Sequence, residues 1–172
     1  MGEPAETTPD YLLVGHITHD ITPQGPQPGG TVTFAAHTAA AFGLRVGILT
    51  SAAPGEPLLD GLPPDALVIN VPAAHTTTFE NLYQNGARTQ YMYHRAAPLG
   101  VDALPPAWRR ARLTHLAPVA YEVDPQLVAA LSPGRICATP QGWMRHRQPD
   151  GLVTTRDWPD AVHVLAQSHL TV

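Results

Sequence analysis

Apolar residues come in short blocks along this chain, and the spacing within each block separates strands from helices. Tyr11 to Ile17 reads YLLVGHI, a short apolar run bounded by Pro9 and a polar stretch, as expected of a buried strand. The next segment, ITPQGPQPGG, is rich in Pro and Gly and predicts a loop. Thr33 to Phe42 is rich in Ala and stops at Gly43, which predicts a helix with glycine at the C′ position. Leu44 to about Thr50 predicts a second strand and, after a Pro-rich connection, Ala66 to Val71 a third.

The pattern changes at Thr76 to Arg95, TTTFENLYQNGARTQYMYHR, where two β-branched and aromatic runs meet across Asn85-Gly86. Both central residues of a type I′ turn need positive φ, and Asn-Gly supplies them, so an antiparallel hairpin is predicted. Alternation then resumes. It predicts a strand at Leu113 to Ala117, a helix at Asp124 to Leu131 capped by Asp124 with Pro125 at its first position, a strand at Arg135 to Ala138, and a helix at Trp158 to Gln167. Strands alternating with helices predict an α/β fold, a mainly parallel sheet flanked by helices into which the hairpin is inserted. The chain shows no internal repeat.

A length of 172 residues fits one domain, and 44% hydrophobic residues suffice for a core. Residues 1–9 are polar and predict a disordered N-terminus, without the basic start or apolar segment of a secretion signal. No apolar run approaches the roughly 18 residues of a membrane span. A cytoplasmic protein without a membrane partner is the expectation. The net charge is −4, and all ten basic residues are Arg. With no Lys, neither a Walker A phosphate loop nor Schiff-base catalysis can operate on this chain. The basic cluster Arg109, Arg110 and Arg112 reads as a solvated helix end of an acidic protein rather than as a nucleic-acid surface. The single Cys137 cannot form an internal disulfide, and its apolar neighbours mark it as a buried thiol. His16, His19 and Asp20 in GHITHD look like a metal-ligand cluster, but on an extended segment positions 16 and 19 point to opposite faces. No metal site is therefore assigned.

Ligands of open parallel sheets bind beyond the C-terminal ends of the strands. The loop after the first strand carries Asp20 and then Gly29-Gly30, directly before the helix. Glycines there let the backbone approach a ligand, and the helix start offers unpaired N–H donors. A carboxylate beside them can hold two neighbouring hydroxyls. Two readings stay open at this point: a site for a hydroxyl-rich small molecule, or glycines that serve only the turn.

The layout Val14-Gly15, Asp20, Gly29-Gly30, an Ala-rich helix closing at Gly43, then Val46-Gly47-Ile48-Leu49-Thr50 resembles the N-terminal part of the ribokinase-like (PfkB) carbohydrate kinases. The inserted hairpin fits, since that family places β-strands as a lid over its sugar. The resemblance covers residues 10–172, with the lid at about 76–95, and the chain reads as truncated at its C-terminus. It implies transfer of the γ-phosphate of ATP, with Mg2+, to a hydroxyl of a sugar, nucleoside or polyol. Asp20 would hold substrate hydroxyls, Gly29 and Gly30 would line the cleft, and Glu80 and Asn81 would face it from the lid. Phe34 stands where the family usually has Asn. Thr139-Pro140-Gln141 stands where many members read Asp-Pro-Asn, which makes Gln141 and the nearby Arg145 candidates on the substrate or phosphate side. The family's Gly-Ala-Gly-Asp, which supplies an anion-binding helix start and a catalytic base, is missing, as is its Asn-x-x-Glu. The chain alone is thus expected to bind acceptor, to hold neither ATP nor Mg2+, and to catalyse no transfer. The alternative is a non-catalytic small-molecule-binding relative. Family dimers form through the lid, so a homodimer of the longer protein is also implied.

Overall fold

The computed structural model describes residues 4–131 and 134–172. In chain order its elements are β1 (Tyr11–Val14), β2 (Thr18–Thr22), β3 (Gly25–Gly29), α1 (Thr31–Ala41), β4 (Val46–Ala52), β5 (Leu67–Pro72), β6 (Thr77–Gln84), β7 (Ala87–His94), β8 (Leu113–Leu116), α2 (Leu127–Ala130), β9 (Arg135–Ala138), β10 (Arg145–Arg147), β11 (Val153–Thr155), α3 (Ala161–Leu165) and β12 (Leu170–Thr171). Six of these strands form a wholly parallel sheet in the order β12-β9-β8-β1-β4-β5. Parallel strands covered on both faces need apolar residues at every position, and all seven residues of β4 are buried. Leu13 and Ile48 meet Val32, Ala36 and Ala39 of α1 on one face, while Leu12, Val14, Leu49 and Leu116 meet Trp108, Leu127, Trp143 and Val164 on the other.

The hairpin expected over 76–95 is present as β6 and β7. Asn85 and Gly86 have φ of 51° and 78°, the positive pair that a type I′ turn requires. The turn sets the register, pairing Gln84 with Ala87 and, further on, Asn81 with Gln90 and Phe79 with Met92. This hairpin is half of a four-stranded sheet ordered β3-β2-β6-β7. The segment predicted as a loop, residues 21–30, is therefore largely strand: β2 runs parallel to β6, and β3 returns antiparallel to β2. Pro26 and Pro28 are compatible with pairing because β3 is an edge strand, where a missing N–H costs least.

Three further expectations change. Asp124 Oδ1 accepts from Gln126 N at 2.9 Å in a local turn, so α2 starts at Leu127 rather than at the predicted cap. α3 spans Ala161–Leu165 only, and Trp158, expected to begin it, stacks on Trp143 at 4.8 Å between ring centroids. Cys137 is half-buried rather than buried, and burial pushes its thiol up. The antiparallel pair β10 and β11 was not anticipated; it docks on β7, where Met92 N donates to Gly151 O at 2.8 Å. Residues 1–3 of the stretch expected to be disordered lie outside the described residues. Within the rest of it, Thr8 Oγ1 donates to Ala107 O at 3.1 Å and Pro9 is buried. No described helix is long and apolar enough to cross a membrane.

Two buried polar groups join the sheets. Glu122 accepts from the N–H groups of His16, Val119 and Ala120 at 2.6–3.0 Å, which ties the end of β1 to the loop after β8. His16 in turn reaches the second sheet. Its Nε2 carries the proton, because Ala97 O at 2.8 Å can only accept, and its Nδ1 accepts from Thr77 Oγ1 at 2.7 Å. The same hydroxyl accepts from Ala96 N at 3.0 Å. Burial holds His16 below its ordinary value, and does the same to His115, which bridges Tyr11 and Thr139. A histidine whose folded value is lowered binds fewer protons folded than unfolded. Stability is therefore complete above the ordinary value of 6.5 and falls as pH drops below it. Thermal melts between pH 8 and pH 5 are expected to show a plateau followed by a falling Tm. A His16→Ala variant is expected to lose about 1–3 kcal/mol at pH 8, since it leaves Ala97 O and Thr77 without their partner, and to show a flatter pH dependence below 6.5.

Candidate functional site

β2, the start of α1 and the loops following β8 and β9 come together beyond the C-terminal end of β1. Close approach explains both glycines. A Cβ on Gly29 would lie 2.5 Å from Thr18 Oγ1 and 2.6 Å from the Asp20 carboxylate, and one on Gly30 would lie 2.5 Å from His16 O. Gly30 also has a φ of 87°, which side chains with a Cβ rarely adopt. The glycines thus let β3 pack against β2 and turn straight into α1, and the Asp20 carboxylate occupies the space a side chain at 29 would take.

A cavity of about 240 Å³ opens at this junction. Asp20, Gly30, Phe34, Asn81, Gln141 and Arg145 line it, as do Thr18, Thr31, Phe79, Arg88, Gln90 and Val119. Asp20 Oδ1 accepts from Thr18 Oγ1 at 3.1 Å. Burial pushes the Asp20 carboxyl above its ordinary value, opposed in part by that hydrogen bond and by the charges of Arg145 and Arg88. Opposite it runs a chain of polar contacts. Arg145 donates from Nη1 to Val119 O at 2.8 Å and from Nη2 to Gln141 Oε1 at 3.0 Å, and Gln141 Nε2 donates to Thr31 Oγ1 at 3.2 Å. The Arg145 guanidinium also lies 5.5 Å from the centre of the Phe79 ring, and burial holds it below its ordinary value. On the lid, Gln90 Nε2 donates to Asn81 Oδ1 at 2.9 Å.

Six of the eight residues named from the sequence therefore line one cavity, and Gly29 lies directly behind Asp20. Glu80 does not join them. Successive strand residues face opposite sides, so Phe79 and Asn81 look into the cavity while Glu80 looks away and accepts from Tyr93 Oη. Sequence reasoning missed Phe79, Arg88 and Gln90, although counting back from Asn85-Gly86 places Gln90 opposite Asn81 and Arg88 opposite Tyr83. His16 and His19 take separate partners, His19 Nε2 lying 3.1 Å from Glu56 Oε2. Among the described residues no three His, Cys, Asp or Glu side chains are placed to share an ion. The Mg2+ that the resemblance implies thus finds no cluster of three such ligands in them. A second hollow of about 420 Å³, between the end of α1 and the start of β5, contains none of these groups.

No family model and no curated protein matches the sequence. Solved structures do match in fold. A pyrophosphate-dependent kinase in the ribokinase family, as its sulfate complex, superposes with a TM-score of 0.77 at 21% identity over 94% of this chain and 60% of that one. A pyrophosphate-dependent kinase in the same family, complexed with a pyrophosphate analog and myo-inositol, gives 0.76 at 21% identity over the same shares. Ribokinase of Arabidopsis thaliana complexed with ribose and ATP gives 0.54 at 15% identity over 77% of this chain and 54% of that one. The chain has the ribokinase-like fold, and spans about 60% of the length of the first two.

The packing at Gly29 leads to a direct test. Gly29→Ala should push Asp20 out of place while leaving the central sheet intact. The expected result is a small fall in Tm with unchanged far-UV circular dichroism, together with loss of whatever ligand the Asp20 cavity binds in a calorimetric titration.

Proposed function

We propose that this chain is the acceptor-binding part of a phosphotransferase that moves the terminal phosphoryl group of ATP or pyrophosphate to a hydroxyl of a sugar, nucleoside or polyol. The observation that carries this reading is one carboxylate and three carboxamides, Asp20 with Asn81, Gln90 and Gln141, converging on a single cavity beyond the carboxyl end of β1. An ionised carboxylate accepts from two neighbouring hydroxyls, and carboxamides both donate and accept, so the set is matched to a polyol. The ribokinase-like fold supports the reaction class, and the ligands of its neighbours, myo-inositol and ribose, support the acceptor class. ATP and a pyrophosphate analog among the same ligands make both donors candidates. Phe34 puts a ring at the mouth of the cavity in place of an amide, which removes one polar contact to the acceptor.

The residues present hold and orient an acceptor. Among the described residues Asp20 is the only carboxylate lining the cavity, and its task is to fix the acceptor hydroxyls. The chain has no Gly-Ala-Gly-Asp and no Lys to stabilise a phosphoryl group in flight, so by itself it binds acceptor without turning over donor. Calorimetric titration with myo-inositol, ribose, fructose and adenosine is expected to find at least one ligand. Release of ADP from ATP, or of phosphate from pyrophosphate, should stay at background. Asp20→Ala is expected to weaken binding roughly tenfold to a hundredfold for each charge-assisted hydrogen bond lost.

Asp20→Asn should fall between Ala and wild type in affinity, and its stability separates this role from a structural one. The Asp20 carboxyl is raised in the folded state, so the folded chain holds its proton more tightly than the unfolded one, and ionisation costs stability as pH rises. At pH 7 the Asn variant is therefore expected to melt at or above the wild-type temperature while binding more weakly. A lower melting temperature with unchanged affinity would make Asp20 a loop cap and end this reading.

A further inference from the structure

The cavity that holds Asp20 does not end at Asn81 and Gln90. A hollow of about 350 Å³ continues it beneath β10 and β11, with Thr154 and Thr155 on its wall. The two share Arg88, Gln90, Gln141 and Arg145. The first alone is smaller than the roughly 300–1,000 Å³ usual for small-molecule sites, and the two together fall within that range.

Two guanidinium groups therefore stand where the hollows meet, and neither is in an ion pair: the ion pairs among the described residues are His19 with Glu56 and Arg45 with Asp10. Arg145 is fixed by Val119 O and Gln141 Oε1. Arg88 is exposed, and its side chain makes no hydrogen bond to a described residue. Glu122 and then Asp20 are the carboxylates that act on Arg145, and among the described residues lining the first hollow Asp20 is the negative group that faces the two positive ones. Like charges held together beside a half-buried wall repel one another unless an anion lies between them, and the planar guanidinium fork is the side chain best shaped to hold a carboxylate or phosphate in two-point contact. The same layout gives a direction. Asp20 repels an anion and accepts from hydroxyls, while Arg88 and Arg145 attract an anion, so a molecule with a hydroxyl end and an anionic end enters in one orientation.

We propose that the acceptor carries an anionic substituent, a phosphate or carboxylate, held by Arg88 and Arg145 at the outer hollow while Asp20 takes its hydroxyls. The substrate class is then a sugar phosphate or a sugar acid rather than a neutral polyol. This rests on the acceptor-site reading above.

The test is calorimetric titration at low ionic strength with matched probes: glucose against glucose 6-phosphate and gluconate, and myo-inositol against myo-inositol 1-phosphate. Inorganic phosphate and pyrophosphate serve as bare anions. At least one anionic member is expected to bind about tenfold or more tighter than its neutral partner, and 0.5 M NaCl to erode that advantage. Which of glucose 6-phosphate and gluconate gains more identifies the group recognised. Arg88→Gln should abolish the preference while melting with the wild type, and Arg88→Lys should restore part of it. Asp20→Asn should weaken neutral and anionic members alike. Equal binding of both members of every pair, a preference that survives Arg88→Gln, or bare pyrophosphate binding as tightly as the best sugar phosphate would each overturn the proposal. Neutral polyols that bind without any such preference leave the acceptor reading intact, whereas no binding by either kind removes both.

Discussion

The architecture turns on the cost of burying charge. Glu122 is buried and has no cationic partner in an ion pair among the described residues, a situation that is tolerable only where hydrogen bonds replace the lost water. Here the N–H groups of His16, Val119 and Ala120 do so. The constraint works in both directions, because satisfying one carboxylate forces the end of β1 and the loop after β8 into fixed positions. Val119 carries the carbonyl that holds Arg145, and His16 carries the contact to the lid. A side chain that never touches the cavity thus sets the spacing between its two walls.

Those walls come from different levels of order. The parallel sheet is built from unbroken apolar strands and supplies a rigid base, with Leu12, Leu13 and Val14 wholly buried between two layers. The lid sheet is anchored to it through few buried groups, His16 to Thr77 and Thr76 to Glu56 among them, and through a small apolar cluster of Phe79, Met92, Val119 and Ala120. Asp20 lies on the lid sheet and Gln141 on a loop of the base. Their separation therefore depends on polar contacts whose strength varies with solvent and pH more than hydrophobic packing does.

Much of this was legible in residue order, for physical reasons that also explain the failures. The β6–β7 hairpin follows from Asn85-Gly86, whose backbone preference is local and strong. The strands of the base follow from apolar runs that only double-sided burial explains. β3 escaped because Pro and Gly disfavour strands on average, yet an edge position next to β2 removes the penalty, and edge position is a tertiary fact. The shorter α2 and α3 escaped for a related reason: local caps and the Trp143–Trp158 stack outcompete helix propagation in segments too short to resist. At the cavity, Asp20 and Asn81 were readable by resemblance. Glu80 does not line the cavity with Asn81 because adjacent strand residues face opposite sides, and Arg88 was reachable only by counting register across the turn.

The prolines of β3 have one more effect. An edge strand presents a row of unpaired N–H and C=O groups, a template on which another chain can add itself. In β3, two of the five residues are proline, and proline has no N–H to offer. At the far side of the same sheet, β7 is engaged by Gly151 and by Arg147, which donates to Met92 O at 2.6 Å. The small sheet that carries Asp20 is thus blunted along both borders. That is a safeguard against fibril-like association, in a protein whose ligand site opens beside exposed β-structure.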